Sequence, residues 1–151
     1  MSKPVDVSPS LETTEHVRDH CLCLAAQRAA RSLARRFDDA LRPAELTSGQ
    51  FSLLMSLNQP SPPSIGSIAN LLAMDRTTLT ANLKPLERRG LLEVAVDPED
   101  RRSRRLVLTN KGRRVLAEAL PIWQRVHADI DQSLAPLDAG ALRKGLRGLA
   151  G

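Results

Sequence analysis

Residues 65–114 constrain the fold more than any other part of the chain, because two short helical patterns follow each other there across a tight break. The first apolar-periodic segment covers residues 65–72, and the second covers residues 76–90. Three leucines of the second segment recur at the spacing of one buried face of an α-helix: Leu79, Leu83 and Leu86. The pattern predicts a helix–turn–helix whose second helix buries this leucine stripe.

The ends of this second helix carry boundary signals. Asp75 can accept a hydrogen bond from a first-turn N–H, and Gly90 suits the left-handed residue that commonly closes a helix. Pro85 lies inside the helix, where it removes an N–H and crowds the preceding turn. We therefore expect a local bend, or a helix that ends at Lys84. The face opposite the leucine stripe carries small residues first and basic residues later, namely Thr77, Ala81, Lys84 and Arg88.

A basic β-hairpin is predicted directly after the second helix. Residues 91–96 and 104–109 are rich in Leu and Val, and the intervening residues 97–103 are polar and charged, which is typical of two strands around a loop. Residues 76–114 contain eleven Lys or Arg and five Asp or Glu, a net charge of +6, whereas the whole chain carries +5. A positive charge concentrated on a helix–turn–helix and its hairpin, or wing, indicates a DNA-binding module.

The same stretch resembles a known family. The run Leu-Glu-Arg-Arg-Gly-Leu-Leu at 86–92, the wing motif Asp100-x-Arg102, and the following Leu-Val-Leu-Thr strand with Gly112 resemble the MarR family of winged-helix transcriptional regulators. The resemblance covers roughly residues 15–135, most of a domain of ordinary size. It implies a mainly α fold with a small β-hairpin wing and a helical dimerisation region.

The wing motif and the helix–turn–helix pattern also predict DNA contacts at specific positions. Arg102, the arginine of the wing motif, is expected in the minor groove, where a narrow groove attracts arginine. Asp100 would orient Arg102 or hold the hairpin. At the start of the second helix, Thr77 and Thr78 would meet base edges or phosphates. The complete expected set is Arg76, Thr77, Thr78, Lys84, Arg88, Arg101, Arg102 and Arg104.

The rest of the chain is predicted to be helical and to form a dimer. Residues 1–10 are polar and are expected to be a disordered arm, and residues 11–151 form one winged-helix domain. Within it, residues 11–42 and 111–149 are the expected dimerisation helices, and residues 50–109 are the DNA-binding core. We expect one long helix from Leu11 to Leu41, and a kink near Leu120 in the later helix, which Pro121 interrupts. These outer helices carry more apolar surface than one small core needs, which indicates a homodimer.

Several classes of function are disfavoured by the sequence. It has no Gly-rich phosphate loop and no recurring hydrolase spacing, so we expect neither an enzyme nor a cofactor. No apolar run approaches the ~20 residues of a membrane span, and the N-terminus lacks a signal-peptide core, so a cytoplasmic protein is expected. His16 and His20 share a helix face, but Cys21 and Cys23 point elsewhere, so no metal site is expected.

Two kinds of effector remain open. Cys23 occupies the position at which, by resemblance, hydroperoxide sensors of the MarR family carry their cysteine, and oxidation there would add a polar group. Periodicity places Cys23 on a row that continues to Phe37 on the packed side, and places Cys21 towards solvent. The alternative is a small aromatic or phenolic ligand in a crevice between the helices, lined by Phe51 and Met55.

These features together predict a sequence-specific DNA-binding regulator that binds a palindromic operator of double-stranded DNA. The expected role is that of a repressor, released by a small-molecule effector or by cysteine oxidation. Two other classes stay open on the sequence alone. A nucleoid-type architectural protein would bind DNA without operator preference, and a winged-helix protein-interaction module would show no salt-dependent DNA binding.

Overall fold

The computed structural model describes residues 8–151, so the first seven residues of the predicted arm lie outside the described part of the chain. The described residues form seven α-helices and one two-stranded antiparallel sheet. The helices are α1 (Leu11–His20), α2 (Leu22–Leu41), α3 (Ser48–Ser56), α4 (Ile65–Leu71), α5 (Arg76–Arg88), α6 (Asn110–Leu134) and α7 (Ala139–Ala150), and the strands are β1 (Leu92–Val96) and β2 (Arg104–Leu108). This is the expected mainly helical winged helix–turn–helix.

The prediction of one long first helix is wrong, because the chain leaves the helical conformation at Cys21. Its backbone is extended, with φ −74° and ψ 106°, and its Sγ accepts a hydrogen bond from the N–H of Leu24 at 3.4 Å. Cys21 is thus the N-cap of α2 and separates it from α1. Hydrophobic periodicity does not register a single non-helical residue, which explains the error.

The helix–turn–helix forms as the sequence predicts. Asp75 caps α5, and the leucine stripe Leu79, Leu83 and Leu86 is buried. Gly90 has φ +71°, the left-handed value that glycine adopts without strain. Helix α5 nevertheless continues through Pro85 to Arg88, so an end at Lys84 is excluded. Proline removes only one backbone hydrogen bond, and the buried Leu86 anchors the turn that follows it.

The wing is fastened to the connection between α3 and α4. In the hairpin, Leu92 pairs with Leu108 and Val94 with Leu106. The N–H of Leu106 also donates to the carbonyl oxygen of Pro63 at 2.9 Å, and Ser64 forms an isolated bridge with Arg105. The connection therefore lies beside β2 as a short third partner, and a movement of either element affects the other.

The described aromatic side chains other than His16 and His20 meet in one place, where α2, α3 and α6 pack together. The ring centroids of Phe37 and His127 are 4.9 Å apart, those of His127 and Trp123 are 4.3 Å apart, and those of Trp123 and Phe51 are 6.0 Å apart. We call these four residues the aromatic ladder. The remaining core is aliphatic and rich in leucine.

Helix α6 runs unbroken from Asn110 to Leu134 with Pro121 inside it. Its N-terminus closely approaches the connection between α5 and β1: a Cβ on Gly112 would lie 2.1 Å from the carbonyl oxygen of Leu91. Among the helices of residues 8–151, none combines the length and the apolar character needed to cross a membrane.

Candidate nucleic-acid interface

The outward face of α5 is an open, polar surface. Arg76, Thr77 and Lys84 are exposed and line one shallow depression together with Thr80 and Ala81. The guanidinium of Arg76 lies over Gly66 of α4, since a Cβ built on that glycine would stand 2.8 Å from Nη2. Gly66 thus leaves space for the guanidinium at the junction of the two helices. Arg88 is exposed on the last turn of α5.

Thr78, although adjacent to Thr77, is engaged within the protein. Its N–H donates to Oδ1 of Asp75 at 2.8 Å, and its hydroxyl donates to Oδ2 at 2.7 Å. These two hydrogen bonds stabilise the carboxylate and hold the pKa of Asp75 below its usual value. The structure therefore separates two neighbouring threonines that the sequence treats alike.

Asp100 holds the wing loop through the main chain. Its Oδ1 accepts a hydrogen bond from the N–H of Arg102 at 3.0 Å, a turn that aspartate commonly forms. Nη1 of Arg104 donates to the carbonyl oxygens of Arg101 and Ser103, at 3.1 and 3.2 Å. The side chains of Arg101 and Arg102 are exposed. The loop is braced from two sides, and two arginines project from it.

Asp97, which the sequence analysis missed, organises the base of the wing. It is only 5% exposed and is the buried charged residue of the described chain. Its carboxylate accepts from the N–H of Glu99 at 2.9 Å and from Nε of Arg105 at 2.7 Å. The hydrogen bond from Glu99 and then the partnership with Arg105 lower the pKa of Asp97. An Asp-Pro dipeptide at the start of a loop was the available signal.

The eleven Lys and Arg side chains of residues 76–114 do not all have the same role. Five of the eleven donate hydrogen bonds inside the domain: Arg89 to the Glu45 carbonyl, Arg104 to the wing loop, Arg105 to Asp97, Lys111 to the Arg89 carbonyl, and Arg113 to Asn58. The other six are Arg76, Lys84, Arg88, Arg101, Arg102 and Arg114. Local net charge therefore overstates the number of side chains available to phosphates.

The two cysteines are arranged opposite to the expectation. Cys23 is exposed and its Sγ accepts a hydrogen bond from Nε2 of Gln27 at 3.3 Å, whereas Cys21 is half-buried. The physical reason is position along α2: Cys23 lies in its first turn, whereas the residues of α2 that are buried, Phe37 and Leu41, lie in its last turns. Within one chain, Cys23 is more exposed than Cys21, so the expectation that Cys23 is the more buried thiol is wrong.

The proposed effector residues are also separated. Phe51 is 5% exposed and stacks on Trp123, so it belongs to the core and to the aromatic ladder. Met55 instead lines an open-mouthed cavity of about 260 Å³ between α3, β2 and α6. We call it the α3–α6 cavity, and its lining is Met55, Asn58, Leu108, Arg113, Leu116, Ala117 and Leu120.

The histidines near the start of the described chain interact with each other. The rings of His16 and His20 stack with centroids 4.1 Å apart, and Nδ1 of His20 hydrogen-bonds to the carbonyl oxygen of His16. Within residues 8–151, no three His, Cys, Asp or Glu side chains converge as a metal-binding group.

Comparison with known sequences places the chain among transcriptional regulators. The model of the MarR family matches residues 46–103. The transcriptional repressor NicR of Pseudomonas putida is 30% identical over 139 residues, which cover 92% of this chain and 82% of NicR. The transcriptional regulator TtmR of Methylorubrum extorquens is 37% identical over 95 residues, which cover 63% of this chain and 49% of TtmR. The chain thus spans about half of TtmR but most of NicR.

Solved structures agree with this assignment. The Mycobacterium tuberculosis regulator MosR, crystallised in complex with DNA, matches with a TM-score of 0.79 and 37% identity, over 87% of this chain and 94% of MosR. The repressor CouR, bound to a 23-mer DNA duplex, matches with a TM-score of 0.78 and 33% identity, over 89% of this chain and 96% of CouR. CouR has also been crystallised with p-coumaroyl-CoA. The chain belongs to the MarR family of transcriptional regulators.

Proposed function

We propose that the protein is a homodimeric repressor that binds a palindromic operator of double-stranded DNA. The observation that carries this proposal is the exposed face of α5, with Arg76, Thr77 and Lys84 together, beside a wing braced so that Arg101 and Arg102 project. In this arrangement α5 is the recognition helix in the major groove, and the wing reaches the adjacent minor groove. The DNA complexes of MosR and CouR support it.

Each proposed contact has a distinct role. Thr77 reads base edges, and Arg76, Lys84 and Arg88 neutralise phosphates. The hydroxyl of Thr78 already donates to Asp75, so Thr78 contacts DNA as a hydrogen-bond acceptor, through the lone pairs of that hydroxyl. Arg101 and Arg102 enter or flank the minor groove. Arg104 acts mainly through the loop that it braces, with Asp100 as the second brace.

The homodimer is proposed to form through the helices of residues 11–42 and 111–149. These helices expose apolar side chains that a monomer would leave in water. The exposed leucines of these two segments are Leu11, Leu22, Leu33, Leu120, Leu137, Leu142, Leu146 and Leu149. A twofold axis through this region would present two recognition helices to two half-sites of DNA. A regulator of this kind works where the chromosome is, which supports a cytoplasmic location.

The proposed repressor is released by a small aromatic or phenolic ligand, or by oxidation. The complex of CouR with p-coumaroyl-CoA supports the first route. For the second, Cys23 is the proposed sensor because its thiol is accessible to peroxide, while Cys21 caps α2.

Operator binding before and after mild peroxide treatment of Cys21→Ser and Cys23→Ser proteins separates the two thiols. Release that persists in Cys23→Ser but is lost in Cys21→Ser assigns the response to Cys21.

Selection of bound sequences from a random DNA pool tests the proposed function. The expected result is an inverted repeat, bound with an affinity that falls as salt rises. Equal recovery of all sequences would indicate an architectural DNA-binding protein instead. Binding that is absent, or that does not respond to salt, would indicate a protein-interaction module.

A further inference from the structure

The middle of the outward face of α5 carries small side chains and no charge. Thr77, Thr80 and Ala81 are exposed there, and they line one shallow depression together with Arg76 and Lys84. At about 100° per residue, these positions fall on the side of the helix opposite the buried leucine stripe. Among the described residues that line the depression, none has an amide or a carboxylate side chain. Base recognition by this face therefore depends on hydroxyl and methyl groups.

Internal hydrogen bonds remove donors from this face. The hydroxyl of Thr80 donates to the carbonyl oxygen of Arg76 at 2.8 Å, which leaves its methyl group and its oxygen lone pairs for a partner. The amide of α5, on Asn82, lies on another side of the helix, where Nδ2 is 3.6 Å from Sδ of Met74 and lines a different cavity. Ala81 offers only its methyl group. Thr80 and Ala81 thus present methyl groups and no hydrogen-bond donor.

The two cations of the depression lie at its ends. Arg76 begins α5, and its guanidinium extends over Gly66 of α4. Lys84 follows eight residues later, which is about 12 Å along the helix axis. Both cations can reach phosphates from these positions, as the proposed function requires. The surface between them, at Thr80 and Ala81, is left for the edges of the bases.

One base has an edge that matches such a surface. In the major groove only thymine presents a methyl group, and the side chains of alanine and threonine suit apolar contact with it. A cytosine at the same place would bring its amino group against Ala81, which cannot accept a hydrogen bond through its side chain. Replacement of thymine by cytosine would therefore lose an apolar contact and leave a polar group without a partner.

We infer that Ala81 and Thr80 are specificity-determining residues that contact the C5-methyl groups of thymines, and that each half-site of the operator carries thymine where α5 covers it. This inference rests on the proposed function. It adds two residues without charge to the expected DNA contacts, and it names the base that they recognise. Arg76 and Lys84 contribute affinity through phosphates, whereas Ala81 and Thr80 contribute the preference for thymine.

The first experiment removes the methyl groups from the DNA. Deoxyuridine lacks the C5-methyl group of thymidine but forms the same base pair, so thymines of the selected operator are replaced by deoxyuridine, one symmetric pair at a time. The dissociation constant should rise about tenfold for at least one pair in the half-sites, since each buried methyl group contributes roughly fourfold and the operator carries two copies. Replacement outside the half-sites is the control and should change little. Selected half-sites without thymine, or no loss with any pair, overturn the inference.

The second experiment removes the methyl groups from the protein. Ala81→Gly lacks the methyl group, and Thr80→Ser lacks it but keeps the hydroxyl that bonds to Arg76. The readout is the ratio of affinities for the thymine and deoxyuridine operators, because a ratio cancels any general loss of DNA binding. The ratio should fall towards one in at least one of these variants.

Lys84→Ala is the matched variant for this comparison. It should weaken binding to both operators and keep the ratio of the unmodified protein, because its contact is to phosphate. An unchanged ratio in both Ala81→Gly and Thr80→Ser overturns the assignment to these residues. Operator binding without a preference for thymine refutes this inference alone. If no operator can be selected, the proposed function fails and the inference fails with it.

Discussion

Arg102 and Arg104 are two positions apart in the wing, but their guanidinium groups have different roles. That of Arg104 donates to two carbonyl oxygens of the loop, while that of Arg102 is exposed; among the described residues, Arg102 hydrogen-bonds to the loop through its main-chain N–H on Asp100. Truncation of Arg104 should therefore alter the loop, whereas truncation of Arg102 removes a side chain that projects from the loop. The sequence motif cannot separate these roles, because both positions carry the same residue type.

We expect Arg102→Ala to weaken operator binding by about 1–3 kcal/mol, because an arginine in a narrow minor groove is lost. The measurement is a binding titration on the selected operator at moderate salt. Arg114→Ala is the matched control, since it removes the same charge from an exposed position on α6, and its affinity should change little. Equal losses in the two variants would mean that Arg102 contributes only general charge.

His127 provides a prediction about pH. Its ring lies between Phe37 and Trp123, and its Nδ1 is buried without a hydrogen-bond partner among the described residues. Burial lowers the pKa of His127, and the positive charge of Arg143 lowers it further, against the opposing effect of Asp131. The unfolded chain therefore binds the proton at a higher pH than the folded chain. The contribution of neutral His127 to the free energy of unfolding is complete above the ordinary pKa of 6.5. This contribution is lost as the pH falls through 6.5 towards the lower pKa of the folded state.

The pH dependence can be measured by urea unfolding at pH 7.5 and 5.5, at one protein concentration. The free energy of unfolding should drop more in the unmodified protein than in His127→Gln, which cannot titrate at this position. His20→Gln, on the exposed face of α1, should behave like the unmodified protein. An identical drop in all three proteins would show that protonation of His127 is not coupled to folding.

At the level of the elements, the sequence predicts the DNA-binding half well and the first helix poorly. Asp75, Gly90 and the leucine stripe each specify α5 locally, and two Leu- and Val-rich runs around a charged loop specify the wing, so these parts were predictable. The boundary between α1 and α2 depends on one residue, Cys21. Its Sγ, in place of a backbone carbonyl oxygen, accepts the N–H of Leu24. The burial of Asp97 and the attachment of the wing to Pro63 depend on long-range contacts. No local pattern encodes such contacts, which is why the brace of the wing was missed.

The close approach of α6 to the connection between α5 and β1 gives a prediction about packing. A Cβ at Gly112 would meet the Leu91 carbonyl oxygen at 2.1 Å and Leu108 Cδ1 at 2.8 Å. Gly112→Ala should therefore destabilise the protein by about 1–3 kcal/mol or more, since backbone must move. Gly49→Ala is the control: it is also helical but has open space around it, and helix propensity should make it neutral or stabilising by up to ~1 kcal/mol. Equal urea midpoints for the two variants would contradict the close packing.

For the whole molecule, family membership makes the chain a DNA-binding regulator of transcription and not an enzyme. The sequence indicated this through the charge contrast and the wing motif. It could not indicate which helical faces pair in a dimer, because pairing depends on two copies of one surface. The structure narrows the choice, since α7 is amphipathic and exposes Leu142, Leu146 and Leu149.

We expect Leu146→Glu to shift the dimer towards monomer, because a charge would replace an apolar contact that occurs twice about the twofold axis. Burial of a leucine contributes roughly 1.5–3 kcal/mol, so the dissociation constant of the dimer should rise at least about tenfold. Sedimentation velocity over a concentration series measures the shift. Lys144→Glu, an exposed charge reversal on the same helix, should sediment like the unmodified protein. If Leu146→Glu remains as dimeric as Lys144→Glu, α7 is not at the interface.

In the proposed complex, one dimer holds two recognition helices and two wings on two half-sites of a palindrome. The most direct measurement compares the affinity for the selected operator with the affinity for the same operator carrying about five extra base pairs, half a turn of DNA, between its half-sites. We predict a loss of at least tenfold on insertion, because the second half-site rotates to the far side of the duplex. Equal affinity for the two duplexes, at the same salt concentration, would show that the dimer does not bind both half-sites at once.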